Sequence, residues 1–196
     1  MQQRAKETRL AVIEGAARVF AEIGYGNASL ADITKRAAVT KGALYFHFTS
    51  KRELALAVIE EQHAIVSAAG SQIAASDIPA LEKIIQLCRM FGQHLLDEPI
   101  VQGGIRLTFE SSAFQADVSG PYQDWIKTAE QLLTQAQTDG TVRSDLDPAA
   151  FARFLIASFT GVQMVSEVLT AREDVMPRIE QMWAFMLPAL ISRPTN

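Results

Sequence analysis

The sequence predicts an all-α fold, with a three-helix N-terminal module ahead of a larger C-terminal helical body. Three observations predict it. Apolar residues recur every three or four positions along most segments, as a helix burying one face requires. No stretch shows the sustained apolar and polar alternation that a half-buried strand needs. Ser, Thr and Asp stand where helices should start, and Gly or Pro where they should stop.

The first helix is expected from about Arg4 to Ile23, with Leu10, Ile13, Ala17 and Phe20 on its inner face and Gly24 as its stop. Tyr25 to Ala28 form a connector. Ser29 opens a second helix, Leu30 to about Ala37, with Asp32 placed like the acid of a capping box and Leu30, Ile33 and Ala37 turned inward. Ala38-Val39-Thr40 make a tight turn, and Thr40 caps a third helix from Lys41 to about His47. Two short helices across a three-residue turn form a helix-turn-helix. Ser50-Lys51-Arg52-Glu53 reads as a full capping box, so a long fourth helix should start there and run through Leu54, Val58, Ile59 and Ile65. Pro79, Pro99, Gly103-Gly104, Gly120-Pro121, Asp139-Gly140 and Asp147-Pro148 divide the remainder into helices near 79–96, 100–114, 121–138, 148–170 and 174–192. The domain boundary is expected at residue 50, giving domains 1–50 and 51–196.

A chain of 196 residues, 48% hydrophobic and 20% charged, can bury one large or two modest cores. Its apolar runs, such as Phe154 to Phe159 and Met182 to Ile191, read as too short or interrupted for a membrane span, and the N-terminus has no apolar signal core. A cytoplasmic protein with no membrane partner is expected. The single Cys88, beside Leu87, Met90 and Phe91, excludes a disulfide framework and a thiolate zinc site and reads as core. The charge is unevenly distributed. Up to Glu53 there are nine Lys or Arg against five acids, a net of +4, which leaves −8 for the rest of a chain totalling −4. A basic module joined to an acidic body suits a protein in which one part meets phosphate and the other does not.

In a helix-turn-helix the second short helix enters the major groove and presents its first turns to base edges. Thr40 and Lys41 stand at the groove-facing start, Gly42 and Ala43 allow close backbone approach, and Tyr45 and His47 can reach phosphate or bases. Leu44 and Phe48 point into the module. Lys51, at a helix N-terminus, combines its charge with free backbone amides as a phosphate site. With Ser29, these are the candidate contacts to double-stranded operator DNA.

Phe20-Ala21-Glu22-Ile23-Gly24-Tyr25, Ser29-Leu30-Ala31-Asp32-Ile33, and Val39 through Phe48 with Lys51 and Leu54 closely resemble the TetR family of bacterial repressors over about residues 8–56. The resemblance implies an all-helical homodimer whose C-terminal domain binds a ligand and dimerises through its last two helices. In the body, Gly104-Ile105-Arg106-Leu107-Thr108, Pro121-Tyr122-Gln123-Asp124-Trp125, Phe159-Thr160-Gly161-Val162-Gln163 and Trp183 with Leu187-Pro188 resemble the γ-butyrolactone autoregulator receptors of actinomycetes. That resemblance implies a small apolar effector of the γ-butyrolactone type. It makes Trp125 a pocket wall whose indole N–H donates to the lactone carbonyl. It makes Thr160 and Gln62 polar contacts, and Leu87, Phe91, Ile105 and Met164 an apolar lining. Periodicity alone leaves plainer readings open: Trp125 and the apolar four as core, Thr160 bonded to its own helix, Gln62 facing solvent. An antibiotic or furan signal is an alternative effector, and a small-molecule carrier the alternative from another class.

Catalysis is not expected. There is no Gly-x-Ser-x-Gly elbow, His-Glu-x-x-His pair, Gly-rich phosphate loop or Cys-based metal spacing. Of three histidines, His47 belongs to the reader, His94 lies beside Leu95 and Leu96, and His63 with Glu60 on an exposed helix face offers two ligands and no third. No metal and no cofactor is expected.

Overall fold

The computed structural model of the chain describes residues 2–191. Their helices are α1 (Gln2–Asn27), α2 (Leu30–Arg36), α3 (Lys41–His47), α4 (Lys51–Ala74), α5 (Ala80–Asp97), α6 (Pro99–Phe109), α7 (Ser119–Thr138), α8 (Pro148–Thr170) and α9 (Val175–Leu190). The described residues contain no strand, only an isolated antiparallel bridge from Val142 to Ile191. The helix expected over 100–114 divides: Glu110 leaves α6, and Ser111–Phe114 form a 3-10 helix closed by Gln115 at φ 51°. Residue 192, the expected end of the last helix, lies outside the described residues.

Contacts divide the chain into two compact units, one made of the residues up to Ala68 with Asp97–Val118, the other of Ala69–Leu96 with the chain from Ser119 onward. In the first unit, α1 packs on α2, α3 and α6. Its inner face is Val12, Ile13, Ala16, Ala17, Val19 and Phe20, which join Ile33, Leu44, Phe48, Leu54, Val58 and Leu107 in one core. Leu10, expected on that face, is exposed, because no residue from 2 to 10 is buried and the helix begins before its core does. Two close approaches set α6 against α1. A Cβ on Gly103 would stand 2.7 Å from Ala17 Cα, so only glycine lets the two backbones meet. Gly24 takes φ 77°, breaking α1 where a stop is expected, and the carboxylate of Glu110 accepts from Tyr25 N–H just beyond the break at 2.6 Å. Arg106 completes this clasp, donating to Ala21 O at 2.8 Å and to Glu110 Oε1 at 2.9 Å.

The start of α4 corrects the expected capping box. Ser50 Oγ accepts from Glu53 N–H at 3.1 Å, but the Glu53 carboxylate takes the N–H and hydroxyl of Thr49, both at 2.7 Å. The reciprocal bond is therefore displaced by one residue.

In the second unit α7 packs on α8 and α8 on α9. Arg89 of α5 grips Glu180 of α9 with two parallel bonds, at 2.6 and 2.8 Å. At the α8–α9 turn, Asp174 accepts from Ser166 and Thr170 hydroxyls and from Arg178 Nε, all between 2.6 and 2.7 Å. Cys88 is buried, as expected, and burial pushes its thiol up to about 12 against the opposing effect of Trp183. The other side of α8 and α9 stays uncovered: Val168 is 82% and Phe185 83% exposed, beside Phe154, Val165 and Leu169. A groove of about 650 Å³ runs there, lined by residues including Phe151, Phe154, Val165, Met182 and Phe185. This apolarity makes α8, by length and composition alone, long and apolar enough to cross a membrane, contrary to the expectation from its shorter runs.

Candidate nucleic-acid and effector sites

The short helices α2 and α3 depend on their caps. Ser29 Oγ accepts from Asp32 N–H at 3.1 Å while the Asp32 carboxylate accepts from Ser29 N–H at 3.1 Å, a complete capping box. These bonds, led by the Ser29 hydroxyl, hold the Asp32 carboxyl below the usual carboxylate range. Ser29, proposed to contact DNA, is exposed but its hydroxyl is already bonded within the cap. Arg36 and Glu22 join α2 to α1 through two bonds at 2.5 and 2.7 Å.

On α3, Thr40 Oγ1 accepts from Ala43 N–H at 3.1 Å, which orients the first turn. Leu44 and Phe48 are buried, so the outer face is set by default. Lys41 and Gly42 are exposed, Ala43 is half-buried, and a Cβ on Gly42 would meet only Thr40 Oγ1, at 3.9 Å. A backbone that open permits the close approach expected of it. Tyr45 is exposed, and His47 is half-buried with its ring edge-on to Phe46 at 5.0 Å. Phe46 itself is 78% exposed, the most exposed apolar side chain on α3, and sequence reasoning left it without a role. Its signal was available: two positions from both Leu44 and Phe48, it must point away from the core. Arg9 of α1 lies over the Phe48 ring, 5.3 Å from its centroid, which adds a cation at this end of the module.

Lys51 sits differently from a free phosphate contact. Its ammonium donates to Tyr25 O at 2.7 Å and Ala28 O at 2.8 Å and rests 4.4 Å from the Tyr25 ring centroid. It clips the end of α1 beyond the Gly24 break, and Ala28 just after it, to the start of α4. Two of its three N–H donors are engaged in doing so.

The effector candidates fall into both units. In the first, Gln62 is 3% exposed, contrary to the solvent-facing alternative, and a Cβ on Gly104 would stand 2.5 Å from its Cβ, while Ile105 is buried on the same helix as Gly104. In the second, Leu87 and Phe91 are buried and three aromatic rings meet: Phe91 is edge-on to half-buried Trp125 at 5.8 Å and to Phe159 at 5.6 Å. Thr160 is paired with the Tyr122 hydroxyl. Burial raises the Tyr122 phenol above its ordinary range and the Thr160 bond opposes the rise. Met164 is 46% exposed on α8. His63, expected on an exposed face, is half-buried, and the described residues contain no cluster of three or more metal-ligating side chains.

A family model described as bacterial regulatory proteins, tetR family, matches residues 12–58, and one described as tetracyclin repressor-like, C-terminal domain, matches residues 78–192. The A-factor receptor protein of Streptomyces griseus is 34% identical over 189 residues, covering 96% of this chain and 66% of the receptor, so the chain spans just under two thirds of that relative. A solved structure bearing on the control of antibiotic production by a bacterial hormone superposes with a TM-score of 0.88 at 39% identity, covering 95% of this chain and 98% of the other. A gamma-butyrolactone receptor, described as ArpA-like, gives 0.81 at 28% identity, with 96% and 90% covered.

Proposed function

The chain belongs to the TetR family of bacterial regulatory proteins, and from that membership we propose that it is a ligand-responsive transcriptional repressor that binds a pseudo-palindromic operator as a homodimer. Domain 1–50 reads DNA; domain 51–196 binds a small γ-butyrolactone-type signal, dimerises and releases the operator. The observation that carries the DNA reading is α3, capped by Thr40, buried through Leu44 and Phe48, and open along Lys41, Gly42, Tyr45 and Phe46. The effector class is supported by likeness to the A-factor receptor and to the gamma-butyrolactone receptor. An apolar group formed by Phe91 of α5, Trp125 of α7 and Phe159 of α8, with polar Tyr122 on α7 and Thr160 on α8, suits a lactone with an alkyl chain. The uncovered apolar side of α8 and α9 is the dimer face, which accounts for exposed Val168 and Phe185 without a membrane.

Effector binding shifts the dimer toward a state in which its two reading helices no longer match the operator spacing. By reciprocity, operator binding weakens effector binding by the same factor. The test is footprinting on the promoter DNA with and without γ-butyrolactones, with affinity followed against salt. If each half contacts about four or five phosphates, log affinity should fall with log salt at a slope of roughly −7 to −9. A slope near zero overturns the DNA reading. A footprint that no γ-butyrolactone removes overturns the effector class alone.

A further inference from the structure

The buried face of α8 carries Ala152, Leu155, Phe159, Gln163 and Ser166, a stripe of helical spacing in which one long polar side chain stands among apolar ones. Ser166 is satisfied, since its hydroxyl donates to Asp174 at 2.6 Å. Gln163 is not. It is 6% exposed, and its side-chain oxygen is buried with no hydrogen-bond partner among the described residues. Leaving such a group unpaired forfeits its hydration with no compensating bond, so a buried acceptor without a partner calls for a reason.

Its position supplies one. Gln163 lies one helical turn after Phe159, whose ring meets Phe91, which in turn meets Trp125. It lies three residues after Thr160, the partner of the Tyr122 hydroxyl. The unpaired acceptor thus shares one side of α8 with the ring cluster and the one hydroxyl pair assigned to the effector. We propose that Gln163 binds the effector's polar end, its side-chain amide oxygen accepting a hydrogen bond from a hydroxyl that the effector carries. The ligand class follows: an apolar small molecule with a hydroxyl donor. A plain hydrocarbon, or a lactone with acceptors only, leaves the amide oxygen unpaired. This inference rests on the reading of the C-terminal domain as an effector-binding domain.

The test uses the full chain, the variant Gln163→Met, which keeps the length of the side chain without its amide, and two γ-butyrolactones sharing one alkyl chain. One carries a hydroxymethyl group on the ring and the other a methyl group. Wild type should bind the hydroxymethyl lactone about tenfold tighter than the methyl one, and Gln163→Met should bind both alike. The ligand-free variant should melt at or above the wild-type temperature, because an unpaired buried amide has been removed. A tenfold preference that survives in Gln163→Met overturns the inference. So does a ligand-free melting temperature several degrees lower, which would make the amide a structural group. If neither lactone binds wild type, the γ-butyrolactone reading fails, and the ligand-free melt still decides the role of Gln163: unchanged or higher supports it, lower overturns it.

Discussion

Replacing Lys51 by Met separates two roles that look identical in sequence, because Met keeps most of the aliphatic stem and removes only the ammonium. Two charge-assisted bonds are lost, to Tyr25 O and Ala28 O, together with the cation over the Tyr25 ring. Hydrogen bonds to charged groups contribute about 1.5–3 kcal/mol each, and an exposed cation–π contact about 0.5–1 kcal/mol. Lys51 is half-buried, so water recovers part of the loss, and a net cost of roughly 2–3 kcal/mol is expected. In a chain of this size each kcal/mol lowers the melting temperature by about 2–4 °C, so the variant should melt about 4–12 °C below wild type. Circular dichroism reads this directly, and operator titrations at several salt concentrations, well below the transition, read the rest. If the third N–H reaches a phosphate, the salt slope should become shallower by about one while base preference is unchanged. A variant that melts within about a degree of wild type would refute the account of Lys51 as a clip.

Three further outcomes are expected. Trp125→Ala should leave operator affinity close to wild type and weaken γ-butyrolactone binding by roughly ten- to a thousandfold, with melting run beside the titration because a lost aromatic contact also costs stability; a folded variant released at the same lactone concentration would return Trp125 to ordinary core. The Asp174 carboxyl is held at about 2, first by the Ser166 hydroxyl, then by Thr170 and Arg178. Its folded value lies below its unfolded one, so its contribution is present above about pH 4 and lost as pH falls toward 2; Asp174→Asn should flatten the fall of melting temperature over that window. Gly103→Ala drives a Cβ into the Ala17 backbone and should destabilise the chain by about 1–3 kcal/mol despite alanine's better helix propensity, seen as a lower denaturation midpoint.

Much of the fold was legible because short-range chemistry determines it. The Ser29 and Thr40 caps, the Gly24 break and the Asp147-Pro148 start are local devices, and each appears where its residue type places it. The outward face of α3 was legible for the same reason: with Leu44 and Phe48 buried, helical geometry alone turns Tyr45 and Phe46 outward. Leu10 misled because periodicity identifies a helix face but not how far along the helix a core extends. The displaced bond at Glu53 misled because Thr49, one residue before the cap, offers the Glu53 carboxylate both an N–H and a hydroxyl, while Ser50 takes only the Glu53 N–H.

By itself, then, the sequence determined the class of the fold, the capped starts of α2, α3 and α8, the outward face of α3 and the family, all of which follow from residue types within a few positions of one another. The tertiary structure alone decided three things. It gave Lys51 two carbonyls more than twenty residues away, took α6 into one compact unit with α1 through Gly103, Arg106 and Glu110, and left the amide oxygen of Gln163 buried with no hydrogen-bond partner among the described residues. Partners distant in the chain meet only when packing brings helices together, and hydrogen-bond satisfaction depends on those partners rather than on the residue itself.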